Sequence, residues 1–150
     1  MRTTQTARRR ALALSTWLAL AAPGLAHAAT LTFVERATTD AISVHAGKAA
    51  DNLGDILTFA NPVYDAADKT AIGSDQGYCV RVLLGRAFEC HWTLILPKGE
   101  ISVDGPFFDT ADSVLSVTGG TGAYGGARGE MKLHARDKQG KEYGFTYVFK

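Results

Sequence analysis

Beyond residue 28 the hydrophobic positions recur at every second residue rather than every third or fourth, the pattern of strands with one buried and one wet face. In Tyr143-Gly144-Phe145-Thr146-Tyr147-Val148-Phe149 alternate residues are aromatic, so one face is wide and apolar. Just before it, Met131, Leu133 and Ala135 alternate with Glu130, Lys132, His134 and Arg136. Gln139-Gly140 lies between the two runs, and together they predict a terminal hairpin. The same rhythm predicts strands at Leu31–Arg36, Asp55–Tyr64, Gly77–Leu84, Ala87–Leu96, Glu100–Asp104 and Ser113–Thr118. Leu84-Gly85, Pro97-Lys98-Gly99 and Asp104-Gly105-Pro106 supply turn chemistry between them. No window carries a helical period; Asp65–Lys69 allows at most a short turn. About eight short strands with tight turns predict an all-β sandwich or barrel. The aromatic last strand favours an antiparallel barrel, which leaves no unpaired edge and at eight strands encloses side chains or one small ligand.

The first 28 residues read differently. Arg2, Arg8, Arg9 and Arg10 precede an apolar stretch from Ala11 to Leu25, and Ala26-His27-Ala28 is a small-x-small cleavage site: the layout of a secretory signal peptide. Pro23-Gly24 interrupts the stretch, which falls short of the roughly 20 apolar residues that span a bilayer. Cleavage after Ala28 predicts a secreted or periplasmic protein by the general or the twin-arginine route, with no stable membrane insertion. It leaves residues 29–150, one compact domain. The segment removed holds four of the 16 Lys+Arg and none of the 15 Asp+Glu, so the net charge falls from +1 to −3. A mildly acidic surface without a basic run argues against nucleic acid as a partner.

Few motifs for chemistry survive inspection. Gly120-Thr121-Gly122-Ala123-Tyr124-Gly125 matches G-x-G-x-x-G, but that fingerprint must open a helix, and Gly129 onward alternates as a strand. The glycines are read instead as a sharp strand connection. Gly73-Ser74-Asp75-Gln76-Gly77 has its serine one place early for a nucleophile elbow. His45, His91 and His134 do not have metal-ligand spacing with one another or with the cysteines, so no metal is predicted, and no cofactor. His91 and His134 alternate with apolar neighbours and are expected outside.

Cys79 and Cys90 can be placed by the hairpin itself. If it turns about Leu84-Gly85, cross-strand partners sum to 169, which sets Cys79 opposite Cys90 and Arg81 opposite Phe88. Opposed cysteines on a non-hydrogen-bonded pair lie at the short end of disulfide geometry, and export would favour the bond. Two buried thiols acting as small hydrophobes remain the alternative.

From Asn52 onward the chain resembles the allene oxide cyclase barrel family, related in fold to plant dirigent proteins. The likeness is carried by Leu53-Gly54-Asp55-Ile56-Leu57 leading to Phe59-Ala60-Asn61 and Tyr64, by Gly73 with Gly77-Tyr78-Cys79-Val80, and by Phe88-Glu89. Ser102-Val103-Asp104-Gly105-Pro106 and Leu115-Ser116-Val117-Thr118-Gly119-Gly120-Thr121-Gly122 extend it. The resemblance implies an eight-stranded antiparallel barrel with an elongated apolar cavity. In the plant cyclases that cavity holds an unstable fatty-acid allene oxide folded for closure to one stereoisomer, and relatives form trimers. Residue by residue, it implies a water-holding role for Asn61, a place on the cavity wall for Cys79, and aromatic lining from Phe88 and Phe107. Glu35 would be the acidic group of the first strand, although an odd slip in register would turn it outward as a solvated glutamate. The serine-proline pair of the plant water site has no match within Thr38–Asp51.

Two functions are therefore expected of such a barrel. One is binding of a small apolar reactive intermediate and steering of its cyclisation or coupling, with Asn61 and Glu35 as catalytic residues and Phe88, Phe107 and Tyr147 shaping the pocket beside Cys79. The other is a non-catalytic carrier of a lipid or aromatic molecule.

Overall fold

The computed structural model describes residues 29–150; the expected signal peptide lies outside them. Nine strands follow in order: β1 (Thr30–Arg36), β2 (Ala41–Val44), β3 (Ile56–Tyr64), β4 (Ala71–Leu83), β5 (Ala87–Leu96), β6 (Gly99–Phe108), β7 (Ser113–Gly120), β8 (Gly129–Ala135) and β9 (Glu142–Phe149). Neighbours from β3 to β9 pair antiparallel in sequence order, β9 pairs β1, and β1 meets β3 to close an eight-stranded barrel. The closing seam is short, Val34 against Tyr64 and Glu35 against Val63. The rest of the β3 edge is taken by β2, through Ala41–Thr58 and Ile42–Leu57.

The eight barrel strands are those the alternation predicts, with one strand added and two longer than expected. β2 was not foreseen, because four residues are too few to display a period. β4 starts at Ala71 rather than Gly77, because its inward positions there are Gly73 and Asp75, which carry no hydrophobic signal. β6 runs on past Asp104 to Phe108: Pro106 is tolerated because β7 pairs with β6 only as far as Asp104, leaving the proline's missing N–H on an unpaired edge. The glycine-rich segment after β7 forms one 3₁₀ turn, Gly122–Tyr124, and then strand.

Register fixes which side chains point inward. Cross-strand rows run Glu35–Tyr143 and Phe33–Phe145 on one side, and Leu57–Cys79–Cys90, Phe59–Gly77–Trp92 and Asn61–Asp75–Leu94 on the other. The end of the barrel nearest the start of β1 is filled by Val63, Leu94, Ile101, Val103, Met131 and Tyr147, all fully buried. Burying a side chain of this size contributes about 2 kcal/mol, and the closed sheet hides its own edges. Gly77 is a glycine for a packing reason: a Cβ there would press into the His91 carbonyl and the Trp92 side chain. Its absence lets the Trp92 indole cross the barrel, edge to face with Phe59 and stacked on Phe145, each at 5.9 Å between centroids.

Candidate functional site

Above that tryptophan layer, towards the β4–β5 hairpin, the interior opens into a cavity of about 110 Å³. Phe59, Phe88, Trp92, Phe107, Tyr143 and Phe145 give it aromatic walls, with Leu57, Leu133 and Cys79 between them. Among the described residues its charged lining groups are Glu35 and Asp40. The expected elongated cavity is thus a short one, because Trp92, Phe145 and Tyr147 block the barrel below. A dry cavity near 150 Å³ takes one benzene ring, so this one seats the end of a small flat molecule, the rest leaving through the mouth.

One amide organises the polar side of the cavity. Asn61, brought inward by the alternation of β3, is 1% exposed. Its Nδ2 donates to Glu35 Oε1 at 2.7 Å and to Asp40 Oδ1 at 2.6 Å. Its Oδ1 accepts from the Thr38 and Thr39 N–H groups at 2.9 and 3.0 Å and from the Thr39 hydroxyl at 3.0 Å. Donors on one side and acceptors on the other leave a single possible orientation for the amide. Asn61 thereby staples the β1–β2 loop to β3 and aims Glu35 into the barrel.

Glu35 is accordingly buried, 5% exposed. Loss of solvent pushes its carboxyl up to about 7, with the Asn61 hydrogen bond opposing, the negative Asp40 adding to the rise, and a hydrogen bond shared with Asp75 opposing again. Asp75, one row deeper and fully buried, is held well above the usual carboxylate range, first by burial and then by the negative charge of Glu35. Tyr143, paired with Glu35 across β1 and β9, is raised to about 12 by burial and then by Asp40 and Glu35, so its hydroxyl stays a donor. The site is therefore a neutral or singly charged acid set in an aromatic wall, able to donate a proton or a hydrogen bond to a ligand oxygen. Among the described residues no cluster of His, Cys, Asp and Glu has the make-up of a metal site.

The residues singled out from sequence fall into distinct places. Glu35, Cys79, Phe88 and Phe107 line the cavity. Asn61 does not: its hydrogen-bonding capacity is consumed by protein groups, so it positions Glu35 rather than facing a ligand oxygen. Tyr147 also lies off the wall, fully buried a layer below and packed on Phe33 and Phe145. Cys79 and Cys90 are joined as a disulfide with Cα atoms 4.0 Å apart, so the cavity wall carries a bridge rather than a thiol. His91 and His134 point outward, each with Nδ1 2.7 Å from an aspartate, Asp104 and Asp112. Asp75, Asp40, Trp92 and Tyr143 were missed. Asp75 had a usable signal: in the hairpin register that pairs Cys79 with Cys90 it falls opposite Leu94, on the inward face.

Comparison with known proteins now decides the family. A model described as allene oxide cyclase matches residues 30–148. This chain belongs to the allene oxide cyclase family. Among solved structures, a pyocyanin demethylase is similar over 78% of this chain and 98% of its own, at 26% identity and a TM-score of 0.66. The pterocarpan synthase dirigent protein PsPTS1 matches 83% of this chain and 94% of its own at 13% identity and a TM-score of 0.67. AbnU, an exo-specific intermolecular Diels-Alderase, matches 82% and 98% at 14% identity and a TM-score of 0.60. The last two share the barrel with this chain; their identity is too low to speak to more than fold.

Proposed function

We propose that this protein takes the reactive end of a small conjugated molecule into the mouth of the barrel and steers its cyclisation or coupling, with Glu35 supplying a proton or hydrogen bond to a ligand oxygen. The observation that carries the reading is a buried carboxyl, raised to about 7, at the wall of an aromatic cavity. A group near neutrality serves best as a general acid, and walls of fixed rings restrict which face of a flat ligand reacts. The likeness to a pyocyanin demethylase supports a small-molecule guest.

The carrier reading requires only the aromatic wall. A buried acid weakens the fold without improving the grip on an apolar guest, and Asn61 converging on Glu35 at 2.7 Å favours activity over storage. Export remains part of the proposal, supported by the disulfide, which persists in oxidising compartments.

The test is product analysis. A fatty-acid allene oxide, and phenoxy radicals made from a phenol with a one-electron oxidant, are each allowed to react with and without the protein, and the stereoisomers are separated. An isomer excess that disappears in Glu35→Gln is the expected result. Identical ratios with and without protein for both classes, together with binding of an aromatic probe unaffected by the substitution, would leave the carrier reading in its place.

A further inference from the structure

Asp75 is a buried acid the proposed reaction does not touch. It projects inward from β4 opposite Asn61, is absent from the cavity wall, and is fully buried. Neither carboxyl oxygen accepts a hydrogen bond of good geometry. What faces it is Glu35, within hydrogen-bond reach, the Asn61 backbone N–H on the neighbouring strand, and Asp40 farther off. Below it lie the Tyr147 hydroxyl and the Trp92 indole N–H, which face one another and are themselves without well-formed hydrogen bonds. Among the described residues no Lys, Arg or His lies within ion-pair distance of either acid.

An ionised carboxylate placed so, with no cation and only the Asn61 backbone N–H in an imperfect hydrogen bond to offset it, would carry a poorly compensated buried charge, which costs more than binding a proton does. Two acids in contact can make a hydrogen bond only if one holds a proton. The deeper acid is the one that keeps it, because the Glu35 anion has the Asn61 side-chain amide at 2.7 Å, whereas Asp75 has only the poorly aligned Asn61 backbone N–H.

We propose that Asp75 is the positioning residue of this site, a permanently protonated acid whose hydroxyl donates to Glu35 and holds the latter's charged form ready after it gives up its proton. The proposal rests on the acid role assigned to Glu35. In the step itself the Glu35 O–H bond breaks with its electron pair remaining on Glu35, and an O–H bond forms on the ligand. The new carboxylate then accepts from Asn61 Nδ2 and from the Asp75 hydroxyl. The proton shed by the cyclised or coupled product restores Glu35. Asp75 touches no ligand atom and changes protonation at no point.

The experiment is a carboxyl-carbon NMR titration of protein labelled at Asp and Glu, in wild type, Asp75→Asn and Asp75→Leu. The wild-type Asp75 signal is expected to stay that of a neutral acid while Glu35 ionises near neutrality. The Asp75→Asn variant keeps a donor at this position, so Glu35 should titrate within a few tenths of a pH unit of wild type. Leucine has none, and the Glu35 midpoint should rise by about one to two units, the worth of one hydrogen bond to a charge. Ionisation of Asp75 in step with an ordinary surface aspartate overturns the proposal in wild type alone, whether or not the leucine variant folds. An unmoved Glu35 midpoint in the leucine variant overturns it too, since Asp75 would then merely fill space. Because the readout requires no substrate, a failure here is distinct from a failure of the proposed reaction, which the product ratios report.

Discussion

Substituting Glu35 by Gln should change how stability depends on pH, and by an amount that follows from its surroundings. In the unfolded chain Glu35 ionises near 4.5; in the barrel burial raises it to about 7. The folded protein therefore binds a proton in that interval that the unfolded chain has already released. This contribution to stability is complete below pH 4.5 and drains away as pH rises to the folded value. At about 1.4 kcal/mol per unit it amounts to roughly 3 kcal/mol. Asp75, raised further, adds a second proton to the same interval and keeps its share of the slope above pH 7. Wild type should thus lose stability with a two-proton slope between about pH 5 and 7 and a one-proton slope beyond. Glu35→Gln should retain only the one-proton slope throughout. The measurement is urea unfolding of the disulfide-intact protein at half-unit steps from pH 5 to 8.5, since glutamine differs from the acid by little but its charge. Parallel curves for the two proteins would refute the reasoning: Glu35 would then titrate alike folded and unfolded, and no buried acid would stand at the cavity.

Three other perturbations probe the frame around the acid. Replacing Cys79 and Cys90 together by Ala opens an 11-residue crosslink and should lower stability by about 3 kcal/mol in urea melts, while reductant destabilises wild type and leaves the variant unmoved. Arg81 lies over the Phe88 ring at 3.6 Å, with Nε 2.7 Å from Asp51 and Nη1 2.8 Å from Asp109; Arg81→Ala frees both loops at the cavity mouth and should cost about 2 kcal/mol, with faster amide exchange in the segments around Asp51 and Asp109 and little change elsewhere. Gly77→Ala forces a methyl into the His91 carbonyl and Trp92, and should destabilise by about 1–3 kcal/mol with a shifted tryptophan emission; wild-type stability and spectrum would show that the indole does not depend on that close approach.

The barrel could be read from the sequence because its inward positions are mostly hydrophobic, and alternation is a signal that survives in a single chain. Met131, Leu133, Phe145 and Tyr147 declare their face by what lies between them. The hairpin sum that set Cys79 against Cys90 reached the right register because its turn is short, with a shift only at Leu83–Ala87. The polar site was harder for the same physical reason reversed. Gly73, Asp75 and Gly77 are inward residues without a hydrophobic side chain, so the pattern stopped before the strand did, and Asp75 went with it. Asn61 was found by resemblance, but the partners that consume its amide sit in the Thr38–Asp40 loop, whose path no periodicity describes. Tyr147 faced inward as expected; which of two inward layers it occupied depended on how far Trp92 reaches across, a fact of packing.

The polar groups cluster where the barrel is least well closed. β1 and β3 exchange only two residue pairs before β1 ends and the chain turns away towards β2, so the sheet cannot supply ladder hydrogen bonds across the remaining gap. The Thr38 and Thr39 N–H groups have no ladder partner there and turn to a side-chain acceptor instead. Asn61 supplies one by turning its carbonyl to the loop, which leaves its Nδ2 pointing into the barrel. An inward N–H pair needs acceptors in its turn, and Glu35 and Asp40 provide them at 2.7 and 2.6 Å. The seam thus brings an acid into an apolar interior as a consequence of closing the sheet, and the aromatic wall opposite raises that acid towards neutrality by excluding water. Closure and the buried acid are one arrangement here, which is why a barrel that is solid at one end gathers Glu35, Asp40 and Asp75 beside the strand junction.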